Sequence, residues 1–145
     1  KPGAEIIKAG TRIYFVANLI ENNQEIPSLF VLDETGRTEL LSTNVEDMQV
    51  YYGVDTNPKG PMLRADERGW TATNVLDELG EDGWQQVVSA EIRLLMRSQN
   101  QFLSPDGTPQ DYDFDGKKDI APEAGDTRLR RQFANIVTIR NRALF

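Results

Sequence analysis

The sequence predicts a mainly β domain of the α+β kind, with antiparallel sheet of about six strands and little helix. Three observations predict it. Segments rich in β-branched and aromatic residues alternate in polarity with a period of two. Turn-forming residues separate them at short intervals. Most connections are too short for the helical crossover, about a dozen residues or more, that a parallel sheet requires. The length of 145 residues suits one domain, read here as spanning 1–145 with a polar, acidic insertion at 99–127.

Thr11 to Leu19 is dense in β-formers and reads as the first strand. Asn22-Asn23 marks a turn. Ser28 to Leu32 and Arg37 to Leu41 flank Asp33-Glu34-Thr35-Gly36, a hairpin loop with glycine where a positive φ is needed. Val45 to Val54 alternates, with Met48, Val50, Tyr52 and Val54 on one face and Asp47, Gln49 and Tyr51 on the other. Its first turn, Asn44 to Asp47, fits a short helical start with Asn44 as N-cap. Asp55 to Arg68 reads as irregular loop. Thr73 to Leu79 reads as a helical turn, with Val75 and Leu79 spaced i, i+4 and Gly80 as its stop. After Trp84 comes the clearest strand. Val88, Ala90, Ile92, Leu94 and Met96 face one way; Ser89, Glu91, Arg93 and Arg97 face the other, towards solvent or a partner. The last strand, from Arg130 to Arg142, sets Phe133, Val137 and Ile139 against Ala134, Ile136 and Arg140.

Composition excludes several chemistries. The chain has no histidine and no cysteine. Ser-His-Asp and Cys-His nucleophile systems, Cys/His zinc sites and disulfides are therefore impossible. The net charge of −7 argues against nucleic acid as the main partner. The longest apolar run, Ile13 to Ala17, falls far short of the ~20 residues of a membrane span or the ~7–15 of a signal-peptide core.

The sharpest motif runs from Asp111 to Asp119 and reads DxDxDGxxD. Calcium loops take oxygens at positions 1, 3, 5, 7 and 9 and place glycine at 6. Here those are Asp111, Asp113, Asp115, the Lys117 carbonyl and Asp119, around Gly116. Position 12 is Pro122 where a bidentate Glu is expected, and no helical pair flanks the loop. The plainer reading is an Asp-rich solvated turn. Seven acids crowd residues 105–126, so the segment repels itself unless a cation or arginines neutralise it. Calcium is the cofactor this pattern points to. The tail offers the other charge: Arg128, Arg130, Arg131, Arg140 and Arg142 with no acid from 127 on. These read as partners for the acidic insertion or as a stripe for an anionic partner. Without histidine an acid-pair hydrolase would need two carboxylates, for which the acidic dipeptides Asp66-Glu67 and Glu81-Asp82 are candidates. Trp70 and Trp84 read as core or hairpin anchors.

Three stretches carry a resemblance. Asn44-Val-Glu-Asp-Met-Gln-Val-Tyr-Tyr-Gly-Val-Asp-Thr56 closely resembles the gVEDMQvlYGvDt signature of the PilW-family type IV pilus assembly proteins. The stretch from Arg128 to Arg142 is similar to that family's closing RLRRvFtttVaLRNR. Between them, Trp84 to Ser98 is similar to its W..VvsvRvsLlvRs strand. The glycine- and aspartate-rich stretch usual after YGVD is replaced here by Asn57-Pro-Lys-Gly60.

The resemblance implies a minor pilin akin to the J-type minor pseudopilins. Such a subunit is a non-enzymatic, periplasm-facing β-rich domain on an N-terminal helix. The helix anchors it in the inner membrane and later packs in the fibre at the cell surface. Its implied partners are other minor pilins, the major pilin and a tip adhesin, within a complex that primes assembly. The leader, its cleavage site and the helix do not occur in this sequence, so the chain reads as the C-terminal soluble part of a longer protein. The alternative is a secreted, calcium-stabilised binding or adhesion module, which needs Trp70, Tyr51 or Tyr112 together on an open face.

Overall fold

The structure is a computed structural model that describes residues 10–55, 69–101 and 106–139. It is mainly β, as the sequence predicts. The chain divides into two compact units, Lys1–Glu46 and Asp47–Phe145.

The first unit is a meander of three strands, β1 (Arg12–Glu21), β2 (Gln24–Asp33) and β3 (Thr38–Thr43), in the order β1-β2-β3. β1 and β2 pair antiparallel without interruption from Arg12↔Asp33 to Glu21↔Gln24. The loop between them is therefore two residues, Asn22 and Asn23, with φ of 50° and 60°. Two positive φ values in a two-residue loop make a type I′ turn, whose twist matches the flanking strands, and Asn tolerates that region. At the next turn, Asp33 Oδ1 accepts from the Thr35 N–H at 2.8 Å, the Thr35 hydroxyl at 2.6 Å and the Arg37 N–H at 3.0 Å. Gly36 there has φ +82°. Phe15 and Phe30, cross-strand neighbours, stack at 5.6 Å.

β4 (Val45–Val54) begins at the junction and otherwise belongs to the second unit. The helical start expected at Asn44 is absent. Asn44 has φ +61°, which is not the extended backbone of an N-cap, and the strand starts directly at Val45. A short helix, α1 (Ala72–Leu79), does form. Thr71 accepts from the Asn74 N–H at 3.1 Å while Asn74 Oδ1 takes the Thr71 N–H at 3.2 Å, a reciprocal cap. A 3₁₀ turn, Glu81–Gln86, follows and touches α1 closely. A Cβ on Gly83 would stand 2.4 Å from Leu79 Cβ and 2.9 Å from the Val75 carbonyl, so only glycine fits there. Val54, Trp70, Val75 and Val87 form the buried cluster, with Tyr52 and Leu79 packed against it. Burying each such aliphatic side chain contributes about 1.5–3 kcal/mol.

The remaining strands are β5 (Val87–Arg97), β6 (Tyr112–Phe114), β7 (Lys117–Ile120) and β8 (Arg130–Thr138). They give one sheet of order β4-β5-β8 and a separate β6-β7 hairpin. Among the described residues there are eight strands against the expected six or so, and the β6-β7 pair lies in the insertion at 99–127. β5 and β8 pair antiparallel from Ser89↔Thr138 to Arg97↔Arg130. This register puts Phe133, Val137 and Ile139 on one side, as the alternation predicts.

At the centre of β5 the exposure differs from what its polarity suggests. Ser89 is 6 % exposed and Glu91 5 %, while Ile92 on the apolar side is 37 % exposed. The polar side is covered from within the chain, for a reason that lies in the acidic hairpin.

Among the described residues no helix is long and apolar enough to cross a membrane. Residues 56–68 of the expected loop, with Asn57, Gly60, Asp66 and Glu67, lie outside the described residues. So do Arg140 and Arg142.

Candidate functional site

The β6-β7 hairpin gives every acid of the DxDxDGxxD motif a position. Phe114 pairs with Lys117, so the loop is the two residues Asp115 and Gly116, with φ of 55° and 75°. Asp-Gly in a two-residue loop is a strong hairpin signal, because both positions need positive φ. Gly116 has open space around it, so the backbone angle alone selects glycine there. Tyr112 pairs with Ile120, leaving one extra residue on β7. Asp119 takes φ +53° beside that irregularity, and its N–H donates to Asp113 Oδ1 at 3.1 Å. Asp111 precedes β6, and Lys117 opens β7; both are exposed. The spacing of two is thus explained by strand alternation: Phe114 turns in and is buried, while Asp113 turns out.

Asp115 is set apart by its partners. Its carboxylate accepts a hydrogen bond from the Tyr51 hydroxyl and pairs with the Arg93 guanidinium at 3.2 Å. Its N–H donates to the Gln132 side chain at 2.9 Å. Arg93 also grips Glu91 with two nitrogens, at 2.7 and 3.1 Å, and lies 4.5 Å over the Tyr51 ring. A bidentate guanidinium–carboxylate pair is among the stronger side-chain contacts, and the aromatic face adds a cation–π attraction. The hydrogen bonds from Arg93 to Glu91 hold the guanidinium's pKa above its ordinary value, with Asp115 adding to them. The hydrogen bond to Asp115 raises the Tyr51 phenol, and burial raises it further. This network explains the covered polar side of β5. The hairpin brings Asp115 onto Arg93, and the buried Glu91 and the half-buried Asp115 share one cation. Tyr51 and Arg93 both engage Asp115 Oδ1, so calcium ligation by Asp111, Asp113, Asp115, Lys117 and Asp119 would share that carboxylate with Arg93. Among the described residues no group of three or more acids stands placed to hold a metal ion.

The basic tail meets the same insertion. Arg130 binds Asp126 at 2.6 Å, and Arg128 binds it through its guanidinium at 3.2 Å and its N–H at 3.1 Å. Burial pushes the Asp126 carboxyl up, but the Arg130 and Arg128 contacts outweigh it and bring its pKa down to about 2. Arg130 also lies 5.3 Å over the Tyr112 ring. The pairing of adjacent opposite charges read from the sequence is present at these two arginines.

The remaining candidates are scattered. Trp70 is buried in the core, and Trp84 meets Tyr52 edge-on at 5.0 Å. Tyr51 and Tyr112 each lie under an arginine. No open aromatic platform joins Trp70, Tyr51 and Tyr112. Glu81 and Asp82 are exposed in the 3₁₀ turn, where Asp82 accepts from Gln85 at 3.3 Å. The broadest feature is apolar. On the side of β5 away from Arg93, Ile92 stands among Leu94, Phe133 and Val137, and Phe133 is 51 % and Val137 50 % exposed. Leu94 and Phe133 are direct cross-strand neighbours, as are Ala90 and Val137.

The sequence reading missed Asp-Gly as a turn and Asp115 as the neutraliser of Arg93. The first was visible as Asp115-Gly116 between Phe114 and a strand-forming run. The second had no local signal, because Tyr51 and Asp115 are 64 positions apart.

No curated protein and no solved structure matches the chain. The family model of the type IV pilus-assembly protein W matches residues 13–141, nearly the whole length. With the three signature stretches and the mainly β fold, this match makes the chain a member of the type IV pilus-assembly protein W family.

Proposed function

We propose that the chain acts as a minor pilin subunit within the priming or tip complex of a type IV pilus, through packing and without catalysis. The observation that carries this reading is the apolar side of the β5-β8 pair, left exposed among the described residues. Ile92, Phe133 and Val137 lie exposed on this one side around Asn135, and exposed apolar patches mark protein contacts. The fitting partners are other minor pilins, the major pilin or a tip adhesin. On the polar side of the same sheet Arg93 is engaged within the chain by Glu91 and Asp115. The implied location is the periplasm and then the pilus surface, with inner-membrane anchoring before assembly.

The test is co-purification with the other minor pilins of the same operon. Ile92→Asp puts a charge in the middle of the apolar side and on the central strand. It should abolish the co-purification and leave the circular dichroism spectrum unchanged. Capture of none of the minor pilins by the unmodified protein would sink the reading.

A further inference from the structure

We infer that the outer edge of β8 is a pairing surface for a second copy of this chain. The two β8 strands would run antiparallel across a two-fold axis at Asn135. This rests on the backbone of the sheet and does not depend on the pilus reading.

β8 ends the order β4-β5-β8, so among the described residues one of its edges has no hydrogen-bonded strand beside it. The hydrogen-bond phase identifies the free groups. Ile139 donates to the Val88 carbonyl at 2.8 Å, and Ser98 donates to the Leu129 carbonyl at 2.8 Å. Odd-numbered residues of β8 therefore exchange bonds with β5. The N–H and C=O of Gln132, Ala134, Ile136 and Thr138 point outward. No backbone bond from a described residue reaches them.

Unpaired edges are usually guarded by charge, proline, a bulge or shortness. β8 has none of these guards over most of its length. It is nine residues long, pairs with β5 without a register shift, and carries no charge, proline or glycine from Gln132 to Ile139. Every residue from Phe133 to Thr138 is exposed. β1 is the other uncharged edge, from Ile13 to Ile20, but Phe15 to Ala17 at its centre are half-buried.

The register follows from the free groups and the side chains together. An axis at Asn135 sets Ala134 opposite Ile136 and Gln132 opposite Thr138 of the second copy. Those are the residues with outward N–H and C=O, so the copies can exchange bonds in the antiparallel pattern. The same register sets Phe133 opposite Val137 of the second copy, twice, on the apolar side. Arg131 falls opposite Ile139.

The absence of cysteine makes a direct test possible. At the axis the two Asn135 Cα atoms would be ~4.5 Å apart, as in a non-hydrogen-bonded pair, which a disulfide can bridge. The two Val137 Cα atoms would be roughly 14 Å apart, which it cannot. Mild oxidation of Asn135→Cys should give a covalent dimer on a non-reducing gel, and Val137→Cys should stay monomeric. Sedimentation equilibrium of the unmodified chain should give twice 16.4 kDa at sub-millimolar concentration. Ile136→Pro removes an outward N–H that β5 does not use, and Asn135→Lys sets two ammonium groups face to face. Each should halve the mass with circular dichroism unchanged. A mass of 16.4 kDa at every concentration, or crosslinking of Val137→Cys as fast as Asn135→Cys, overturns the inference.

Discussion

Two hairpins of this chain turn through the same backbone geometry and are held in different ways. Asn22-Asn23 and Asp115-Gly116 are both two-residue loops with positive φ at each position. The first joins two ten-residue strands, and its side chains stand in solvent. The second joins strands of three and four residues, too short to hold a hairpin by themselves. Its first turn residue reaches across to Arg93 and Tyr51 instead. A hairpin with long strands needs only its turn residues, while one with short strands needs an anchor outside itself. In the second case the turn residue is also the anchor.

The largest effect should come from removing the anchor's cation. Arg93→Ala leaves Glu91, buried to 5 % exposure, with no guanidinium, and frees Asp115 from its ion pair. Breaking a buried pair from one side typically costs 3–5 kcal/mol; with Arg93 itself one-fifth exposed, about 3 kcal/mol is expected. Urea unfolding measures it. Amide exchange should rise first at 112–120 and stay unchanged at 12–33. A uniform rise would break the distinction between the two hairpins.

Acid should separate the two regions next. The folded Asp126 carboxyl has a pKa of about 2 against an ordinary 3.8. A folded pKa below the unfolded one gives stability that is full above the unfolded value and is lost as pH falls towards 2. The contribution is about 2 kcal/mol, from 1.36 kcal/mol per pKa unit. Stability should therefore fall between about pH 5 and pH 2, and Asp126→Asn should flatten that slope. Asp33, in the first unit, is also lowered, chiefly by the Thr35 hydroxyl, but it stands in solvent, so its substitution should leave the slope in place.

How far the sequence carried depends on the range of the signal. Asn22-Asn23, Asp33 to Gly36 and the Val75/Leu79 helix with its Gly80 stop act within a few residues, and each was legible. The strand β5 was legible as a strand, because alternation is local. Which of its sides is covered was not, because the cover comes from Asp115, 22 positions from Arg93. The acids at 111–119 were visible as a pattern with two physical explanations. Spacing of two suits ligands wrapped on an ion and suits outward positions of a strand equally well. The distinguishing sign was Asp-Gly at the centre, which sets the turn.

Turn substitutions are a finer probe of the same contrast. Asp115→Asn keeps a residue that tolerates positive φ but loses the charge opposite Arg93. It should cost about 1–2 kcal/mol. Asn23→Gly in the first hairpin keeps the turn and touches no partner, so its effect should stay within a few tenths of a kcal/mol. Equal costs at the two sites would mean that Asp115 serves the turn alone.

Calcium gives the smallest and most diagnostic difference. Arg93 and a calcium ion would compete for the same carboxylate, since the guanidinium already lies 3.2 Å from Asp115. A ligand present at its own Kd raises stability by only ~0.4 kcal/mol, from RT ln(1 + [L]/Kd). In the unmodified chain, millimolar calcium against chelator should therefore move Tm little. In Arg93→Ala the competing cation is gone, and Asp115 loses its ion pair. Calcium should then raise Tm by more than it does in the unmodified chain, partly restoring what the substitution removed. Magnesium, which keeps its waters, should restore less. An equal calcium shift in both proteins would mean that the ion binds without Asp115. A large shift in the unmodified chain alone would mean that the ion works together with the Arg93 network rather than in its place.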